Sequence, residues 1–395
     1  MVYLLYAALA ACLFFGAKVE NKGQWNEKAL SYAQTKSFLG FCALIIILHH
    51  CSQRTCAPWL PPGRIVHGLD AFLYLGYLCV AAFFFCSGFG MYTASRERES
   101  FFKGYHRRIL ALLLPAVVMW LVFFGVEKSK GVRVDPPIWI NTFDYAWYVP
   151  AMIYLYLLFY LAFHLIKDER AGVPVLIAGT LVYFCLCLLF SPGTWWYNTH
   201  HLFAAGVITA RHRERIQACF RKRYLLWLPL SLLITAAGFM ASYYFQVLTI
   251  RAYGYQAPAH FIAELAGQVI SSVSFVVFVM LVGRKVRIGN RLLSFLGGFT
   301  LEIYLVHPLF VQLFGFAFMN DAVKPLYYIR NPFLYAAAVA FISIPLAFLL
   351  HRMIRTISGT GSRWRNRSSP SQWRAEPSDS SGNPPADGRD PISMS

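Results

Sequence analysis

Residues 75–115 read LGYLCVAAFFFCSGFGMYTASRERESFFKGYHRRILALLLP. This passage contains the end of one long apolar stretch, a short connection rich in Arg and Lys, and the start of a second apolar stretch. A helix of about 18 or more apolar residues, rising 1.5 Å per residue, can cross the roughly 30 Å hydrocarbon core of a bilayer. In that core a single segment satisfies its own backbone hydrogen bonds only as a helix. The passage therefore predicts two transmembrane helices joined by a polar loop.

The rest of the chain repeats this pattern. Of its 395 residues, 57% are apolar and only 14% are charged, and the mean hydropathy is +0.49. A water-soluble fold of this size could not present such a composition to solvent. We therefore predict an all-α, polytopic transmembrane helical bundle with a ten-helix core and one extra apolar segment at the N-terminus. The candidate spans lie approximately at 2–17, 37–54, 70–94, 108–126, 146–166, 173–190, 196–210, 224–246, 259–282, 292–316 and 332–353.

The basic residues indicate how the helices are oriented. Thirty-six Lys and Arg against 18 Asp and Glu give a formal net charge of +18. The connections 95–108, 211–223 and 284–291 are densely basic and alternate with connections poorer in charge, 127–145 excepted. This distribution follows the positive-inside rule rather than the pattern of a nucleic-acid-binding surface. We predict a multi-pass protein of the cell membrane, with both ends of the ten-helix core in the cytoplasm and no nucleic-acid partner.

Three regions follow from this pattern. Residues 1–35 hold the apolar segment 2–17, which lysines follow and no basic stretch precedes, so a cleaved signal peptide is disfavoured. That segment either crosses the membrane with its N-terminus outside or lies in the interface. Residues 36–355 form the transmembrane domain. Residues 356–395 are rich in Ser, Pro, Gly, Arg and Asp and predict a disordered cytoplasmic tail.

The nine cysteines carry little further information. Most of them lie inside apolar stretches, where cysteine acts as a small hydrophobic residue. Cys51 and Cys56 flank a predicted outer connection, so a disulfide between them stays open.

Two adjacent histidines end the first apolar stretch of the core, KSFLGFCALIIILHHCSQR at 36–54. At 100° per residue, His50 lies about 40° around the helix from Lys36 and about 21 Å along it, whereas His49 faces about a quarter-turn away. Ionisable groups at membrane depth are costly and often functional. His50 is therefore a candidate proton acceptor nearer the outer mouth. The alternative is a core histidine that donates to a carbonyl of a neighbouring helix.

A serine and a basic connection mark the second segment of interest, within the passage quoted first. Ser87 lies among glycines near the end of its span, where small residues permit close helix packing. Lys103, Arg107 and Arg108 follow in the connection and could contact the phosphates of an anionic cofactor. The alternative for these three is topogenic charge alone.

The third segment is FLGGFTLEIYLVHPLF at 295–310, which places Glu302, Tyr304 and His307 close together on one span. Acidic residues are rare inside the predicted spans, and a buried carboxylate either finds a partner or stays protonated. Pro308 removes a helix hydrogen bond and predicts a kink beside His307. The segment is therefore a second candidate for polar chemistry inside the membrane.

In this order, the three segments resemble the acyltransferase-3 superfamily of integral membrane O-acyltransferases, which modify cell-envelope and secreted glycans. The resemblance covers about residues 36–353 and rests on His50, on FFFCSGF at 83–89, on the basic connection and on YLVHP at 304–308. Two positions depart from the family pattern. Leu39 stands where the family usually has Arg or Lys, with Lys36 one turn earlier, and Ala81 stands where an acid is common.

The resemblance implies a donor, an acceptor and a set of site residues. Acyl-CoA, with acetyl-CoA favoured, would donate a short acyl group from the cytoplasmic side to a hydroxyl of a glycan or lipid-linked sugar at the outer side, without a metal. Membrane lipids are the other expected partner. His50 would act as general base or transient acyl carrier, with Glu302 and His307 as further catalytic residues. The remaining predicted site residues are the phosphate-binding Lys103, Arg107 and Arg108 and the pocket residues Lys36, Ser87 and Tyr304.

Two other classes of function stay open. A glycan or glycolipid transporter or flippase would also need a polar path through ten helices. A membrane scaffold without catalysis could recruit cytoplasmic partners through the tail. Consumption of acyl-CoA by the purified protein separates the first class from an enzyme, and deletion of 356–395 tests the second.

Overall fold

The computed structural model describes residues 2–129, 146–166, 168–190, 193–248, 258–318, 321 and 323–357. In these ranges the protein forms 13 α-helices and one two-stranded sheet. The helices are α1 (Val2–Phe14), α2 (Tyr32–Gln53), α3 (Gly76–Glu97), α4 (His106–Ser129), α5 (Tyr148–Tyr160), α6 (Glu169–Phe190), α7 (His201–Arg211), α8 (Arg213–Lys222), α9 (Tyr224–Tyr243), α10 (Pro258–Gly283), α11 (Arg291–Leu296), α12 (Thr300–Phe314) and α13 (Pro332–Ile357). Wider helical turns extend α5 through Leu161–Leu165 and α9 through Tyr244–Leu248.

Eight helices in the described ranges are long and apolar enough to cross a membrane. They are α2, α3, α4, α5 with its extension, α6, α9, α10 and α13. Large apolar side chains such as Leu189, Leu225 and Phe341 are exposed on these helices, as expected where lipid rather than water is the solvent. The structure thus confirms the helical membrane bundle that the composition predicts.

Two predicted core spans differ from regular transmembrane helices. In the span predicted at 196–210, α7 has 11 residues and a length of about 17 Å, and the buried polar residues Asn198, Thr199 and His200 precede it. The span predicted at 292–316 is divided into α11 and α12, with Gly297 and Gly298 between them. Each of the ten predicted places is helical in the described ranges, nine with one helix each and one with both α11 and α12, but α7 and α12 are too short to cross the bilayer alone.

The N-terminal helix α1 is also short, with 13 residues and a length of about 20 Å. After it, the strand β1 (Lys18–Val19) pairs antiparallel with β2 (Val286–Arg287), which follows α10. The Asn290 side chain donates to the carbonyl of Cys12 at 2.8 Å, and the ring of Tyr6 packs on Phe72 at 5.8 Å. These contacts hold the N-terminal segment against the core.

Basic side chains gather at one end of the bundle, which we call the basic end. Glu27, shortly before α2, pairs with both Arg221 and Arg284. Lys36 in the first turns of α2 and Arg98 at the end of α3 line the mouth of one cavity. The connections that the sequence analysis singled out as densely basic therefore meet at the same end.

Glycines allow two helix pairs to approach closely. A Cβ atom on Gly88 of α3 would lie 2.0 Å from the Phe203 carbonyl oxygen of α7, and one on Gly206 would lie 2.2 Å from that of Phe85. In the same way, a Cβ atom on Gly40 of α2 would lie 2.2 Å from the Leu293 carbonyl oxygen of α11. The small residues beside Ser87 thus serve helix packing, as expected from their type.

Replacing Gly88 with alanine is expected to destabilise the protein by about 1–3 kcal/mol, because backbone atoms of α7 fill the space that the new methyl group needs. Thermal unfolding in detergent, followed by size-exclusion chromatography of the protein that remains folded, measures the effect. Gly125→Ala in α4 is the matched control, since no atom lies within 4 Å of the position its Cβ would take. Equal melting of the two variants would contradict the close α3–α7 contact.

The nine cysteines are all free thiols. Cys51 and Cys56 are both buried, and the Cys56 thiol donates to the Ser52 carbonyl at 3.3 Å. The disulfide that the sequence left open between these two residues is therefore not formed.

The chain divides into a compact unit, Met1–Ile354, and a second unit, Arg355–Ser395. Of the second unit the structure describes residues 355–357, the end of α13. The remainder of the predicted tail and most of the connection 127–145 lie outside the described residues.

Candidate active site

Three histidines meet where α2 ends and α12 passes it. The His50 ring lies 5.1 Å from the His307 ring and 5.0 Å from the His49 ring, measured between ring centres. His307 is fully buried, while His49 and His50 are half-buried. The structure thus brings together two predicted catalytic residues, His50 and His307, from opposite ends of the core.

Hydrogen bonds orient each of the three rings. The Nδ1 atom of His50 lies 3.0 Å from Oε1 of Gln53, that of His49 lies 3.1 Å from the Phe72 carbonyl, and that of His307 lies 2.8 Å from the Ile303 carbonyl. Each partner atom is an acceptor, so Nδ1 carries the proton and Nε2 is left with a free lone pair. His49 thus bonds to a carbonyl that precedes α3, whereas His307 bonds to a carbonyl of its own helix and His50 bonds to a side chain.

A cavity of about 440 Å³, which we call the central cavity, lies between α2, α3, α4, α5 and α12. Its volume is in the range of small-molecule binding sites. The wall residues Ile46 and Ile303 lie four residues before His50 and His307 on α2 and α12. Since residues four apart share a helix face, the inner end of the cavity lies one helical turn from the two histidines.

The opposite mouth of the central cavity is basic. Lys36, Arg98 and Arg108 line it, and the Arg108 guanidinium stacks on the Phe101 ring at 4.2 Å. The walls between this mouth and the histidines are mainly apolar, with Ala43, Val80, Phe83, Leu112, Met152 and Leu301 among them. The central cavity therefore leads from a cationic mouth, between mainly apolar walls, to within one helical turn of the histidines.

Polar groups of the central cavity include two further predicted residues. Ser87 lines it and shares a hydrogen bond of 3.1 Å with the Tyr156 hydroxyl. Tyr304 also lines it, and its hydroxyl accepts from the backbone N–H of Tyr148 at 3.4 Å. All three predicted pocket residues, Lys36, Ser87 and Tyr304, thus lie on the same cavity.

Lys103, Arg107 and Glu302 lie elsewhere. Lys103 is exposed on the connection between α3 and α4, and Arg107 is exposed in the first turn of α4; both lie outside the lining of the central cavity. The Glu302 carboxylate accepts from Nδ1 of His351 on α13 at 2.8 Å. Glu302 therefore pairs with α13 rather than with the histidine group, and a part for it in catalysis stays a prediction.

Several site residues were not singled out in the sequence. Arg98 lies in the basic connection 95–108, and in the sequence it counts only toward the charge that sets membrane orientation. Gln53 follows the second of the two histidines by three residues and belongs to no recognisable motif. Tyr148 and Tyr156 lie in the aromatic passage of α5, where their separation of eight residues, close to two full turns, places them on one face. That spacing is the one signal that could have revealed the two tyrosines.

A buried ion pair lies one turn beyond His50. The Arg54 guanidinium donates to both carboxylate oxygens of Asp321, at 2.5 and 2.6 Å, and to the Phe316 carbonyl at 2.7 Å. Each of the two charged side chains is only 3% exposed, and the guanidinium also stacks on the Phe318 ring at 4.2 Å. The pair joins the end of α2 to the segment that follows α12.

Comparison with known proteins identifies the family. A family model described as an acyltransferase domain matches residues 40–352. Among curated proteins and among solved structures, no match to the chain was found. The matched region contains the three histidines and most of the residues around the central cavity. Because the match covers well over half of the chain, this protein belongs to the acyltransferase-3 family of membrane acyltransferases.

Proposed function

We propose that the protein transfers an acetyl or other short acyl group from acyl-CoA to a hydroxyl of a glycan or lipid-linked sugar. The donor binds from the cytoplasm at the basic end, and the acceptor reaches the site from the outer face of the cell membrane. The observation that carries the proposal is the central cavity, because three basic side chains line its mouth and two histidines lie one helical turn beyond its inner end.

The donor's chemistry matches the cavity along its length. Lys36, Arg98 and Arg108 supply charged N–H groups for the phosphates of CoA. Stacking on Phe101 preorganises the Arg108 guanidinium for such a contact. The apolar walls suit the linear part of the donor and its acyl group, which would bring the thioester toward the histidines. In this proposal Lys103 and Arg107 contact the exposed part of the nucleotide.

His50 carries the proton transfer in this proposal. Its Nε2 atom accepts the proton of the acceptor hydroxyl while the hydroxyl oxygen attacks the thioester carbonyl. The new C–O bond forms, the C–S bond breaks, and the CoA thiolate leaves and takes the proton from the imidazolium. Gln53 holds Nδ1–H throughout and so fixes which nitrogen acts as the base. His50 as a transient acyl carrier is the variant of this mechanism that the resemblance also allows.

His307 has a positioning part in this proposal. Its ring packs beside that of His50 at 5.1 Å, and its Nε2 atom is buried without a hydrogen-bond partner in the described part of the chain. That nitrogen is a free acceptor in the free protein. An acceptor hydroxyl or a bound water would supply the missing donor and would thereby be held next to His50.

Purified protein supplied with acyl-CoA and a sugar acceptor tests the function directly, through release of the CoA thiol and mass measurement of the acceptor. Replacing Arg98 and Arg108 with glutamine should raise the KM for acyl-CoA by about a hundredfold or more, because two charged hydrogen bonds are lost and each is worth about 1.5–3 kcal/mol. The matched variant K103Q/R107Q removes the same charge from exposed positions of the same connection and should have a smaller effect. Equal effects would contradict binding in the cavity mouth. No thiol release under any condition would favour a transporter.

A further inference from the structure

A second group of basic side chains surrounds Glu27 at the basic end. The Glu27 carboxylate pairs with Arg221 and lies 3.3 Å from Nη1 of Arg284, and Arg213 donates to the Glu27 backbone carbonyl at 3.3 Å. We call these four residues the Glu27 cluster. None of them lines the central cavity, so the cluster lies outside the site described above.

The Glu27 cluster has more positive than negative charge. Three guanidinium groups face one carboxylate, which leaves an excess of two positive charges. Burial lowers the pKa of Arg284, Glu27 opposes this shift, and Arg221 and Arg213 add to it. A second anion among the three arginines would therefore relieve their mutual repulsion.

Arg284 offers a specific place for such an anion. Its side chain is only 5% exposed, yet Nε and Nη2 have no hydrogen-bond partner in the described residues. These two atoms form one edge of the guanidinium, with parallel N–H bonds that match two oxygens of a phosphate. Leaving both N–H groups desolvated and unpaired is unfavourable. The geometry therefore provides a binding edge for a bidentate anion.

The surroundings show how a ligand could arrive. The side chains of Glu27 and Arg221 are 57% and 41% exposed, so their ends can move aside and open the Arg284 edge. Helix α8 carries Arg213 and Arg221, while its Ile216 and Phe220 pack on the core. The lipid-facing Leu225, on α9, follows directly in the chain and is highly exposed. The cluster thus lies where a helix enters the bilayer, at the level of lipid headgroups.

We propose that the Glu27 cluster binds a phosphate group, and that this group belongs to the headgroup of an anionic phospholipid of the same leaflet. Arginine forks bind phosphate oxygens with charge-assisted hydrogen bonds, and basic side chains beside a membrane helix attract anionic lipid. The phosphate would bridge Arg284 and the two arginines of α8. This inference does not depend on the acyl-transfer reaction.

The test uses the full-length protein in nanodiscs of phosphatidylcholine with or without phosphatidylglycerol, and measures phosphatidylglycerol binding by native mass spectrometry and by thermal stabilisation. The variant R213Q/R221Q should bind phosphatidylglycerol about tenfold more weakly, since it loses charged hydrogen bonds to the phosphate at two exposed positions. The control R215Q/R223Q removes the same charge from exposed positions of the same segment outside the cluster and should bind like the wild type.

A third variant, Glu27→Gln, is expected to strengthen phosphatidylglycerol binding rather than weaken it. Glu27→Gln removes the carboxylate that competes for the arginines, so it should bind phosphatidylglycerol several-fold more tightly. If the two double variants lose binding equally, or if Glu27→Gln gains none, attraction is diffuse and the site is overturned. The last measurement adds inorganic phosphate to the protein in place of the lipid. Thermal stabilisation by inorganic phosphate that follows the same variant pattern, without any response to phosphatidylglycerol, would overturn the lipid as the ligand.

Discussion

Replacing His50 with alanine is expected to lower kcat for acyl transfer by roughly 10²–10⁴-fold, while the protein still inserts and folds. The imidazole is the one group in our mechanism that accepts the proton of the acceptor hydroxyl. Thiol release from acyl-CoA by the purified variant gives kcat, and size-exclusion chromatography reports folding.

His49→Gln is the matched control for His50→Ala. His49 is adjacent in sequence and equally half-buried, but its ring is held against Phe72 and the start of α3, where a Cβ atom on Gly76 would lie 2.3 Å from it. A change at this position should affect stability more than kcat. Full activity of His50→Ala, or the same loss of kcat in both variants, would exclude His50 as the base.

The membrane helices could be predicted from sequence because a lipid-facing helix is apolar over its whole length. Hydropathy reports that property directly, and it located the eight long helices. It does not report where a helix is interrupted. The span predicted at 292–316 contains Gly297 and Gly298, and a Cβ atom on Gly297 would lie 2.0 Å from the Lys36 carbonyl oxygen. The break between α11 and α12 therefore depends on contact with α2, which lies far away in the chain.

The candidate site was predictable to the extent that residue type alone reveals function. His50 and His307 stood out because ionisable groups are rare at membrane depth, and the structure brings them together. Glu302 stood out for the same reason, but its partner His351 lies on α13, at the end of a span without other distinguishing features. Which polar side chains face one another depends on helix rotation and packing, and a single sequence does not determine these.

Gln53 and Arg98 are site residues that the sequence does not reveal, because their importance also depends on how the helices pack. Gln53 matters in the structure because it follows His50 by three residues on one helix and its side chain turns back to the ring. Arg98 matters because the end of α3 lies across the cavity mouth from Lys36. Neither residue type is unusual at the end of a transmembrane helix, so neither position attracts notice before the helices are packed together.

Replacing Asp321 with alanine is expected to destabilise the protein by about 3–5 kcal/mol, because it leaves the Arg54 guanidinium buried without its counter-ion. The Phe316 carbonyl and the Phe318 ring remain as contacts, but neither is charged. Thermal unfolding in detergent measures the loss. His67→Ala is the control, since the His67–Asp70 pair has side chains that are 78% and 49% exposed and should contribute less than about 1 kcal/mol.

A double variant separates the charge from the contact. Replacing Arg54 with methionine and Asp321 with leucine removes both ions and keeps apolar volume at the same place, so it should recover most of the stability lost in Asp321→Ala. Recovery of stability with wild-type kcat would show that the pair serves the fold alone. Recovery of stability with reduced kcat would show that it also positions His50, which lies one turn away on α2. Wild-type melting of Asp321→Ala would contradict a buried pair, because an uncompensated guanidinium at 3% exposure cannot be free of cost.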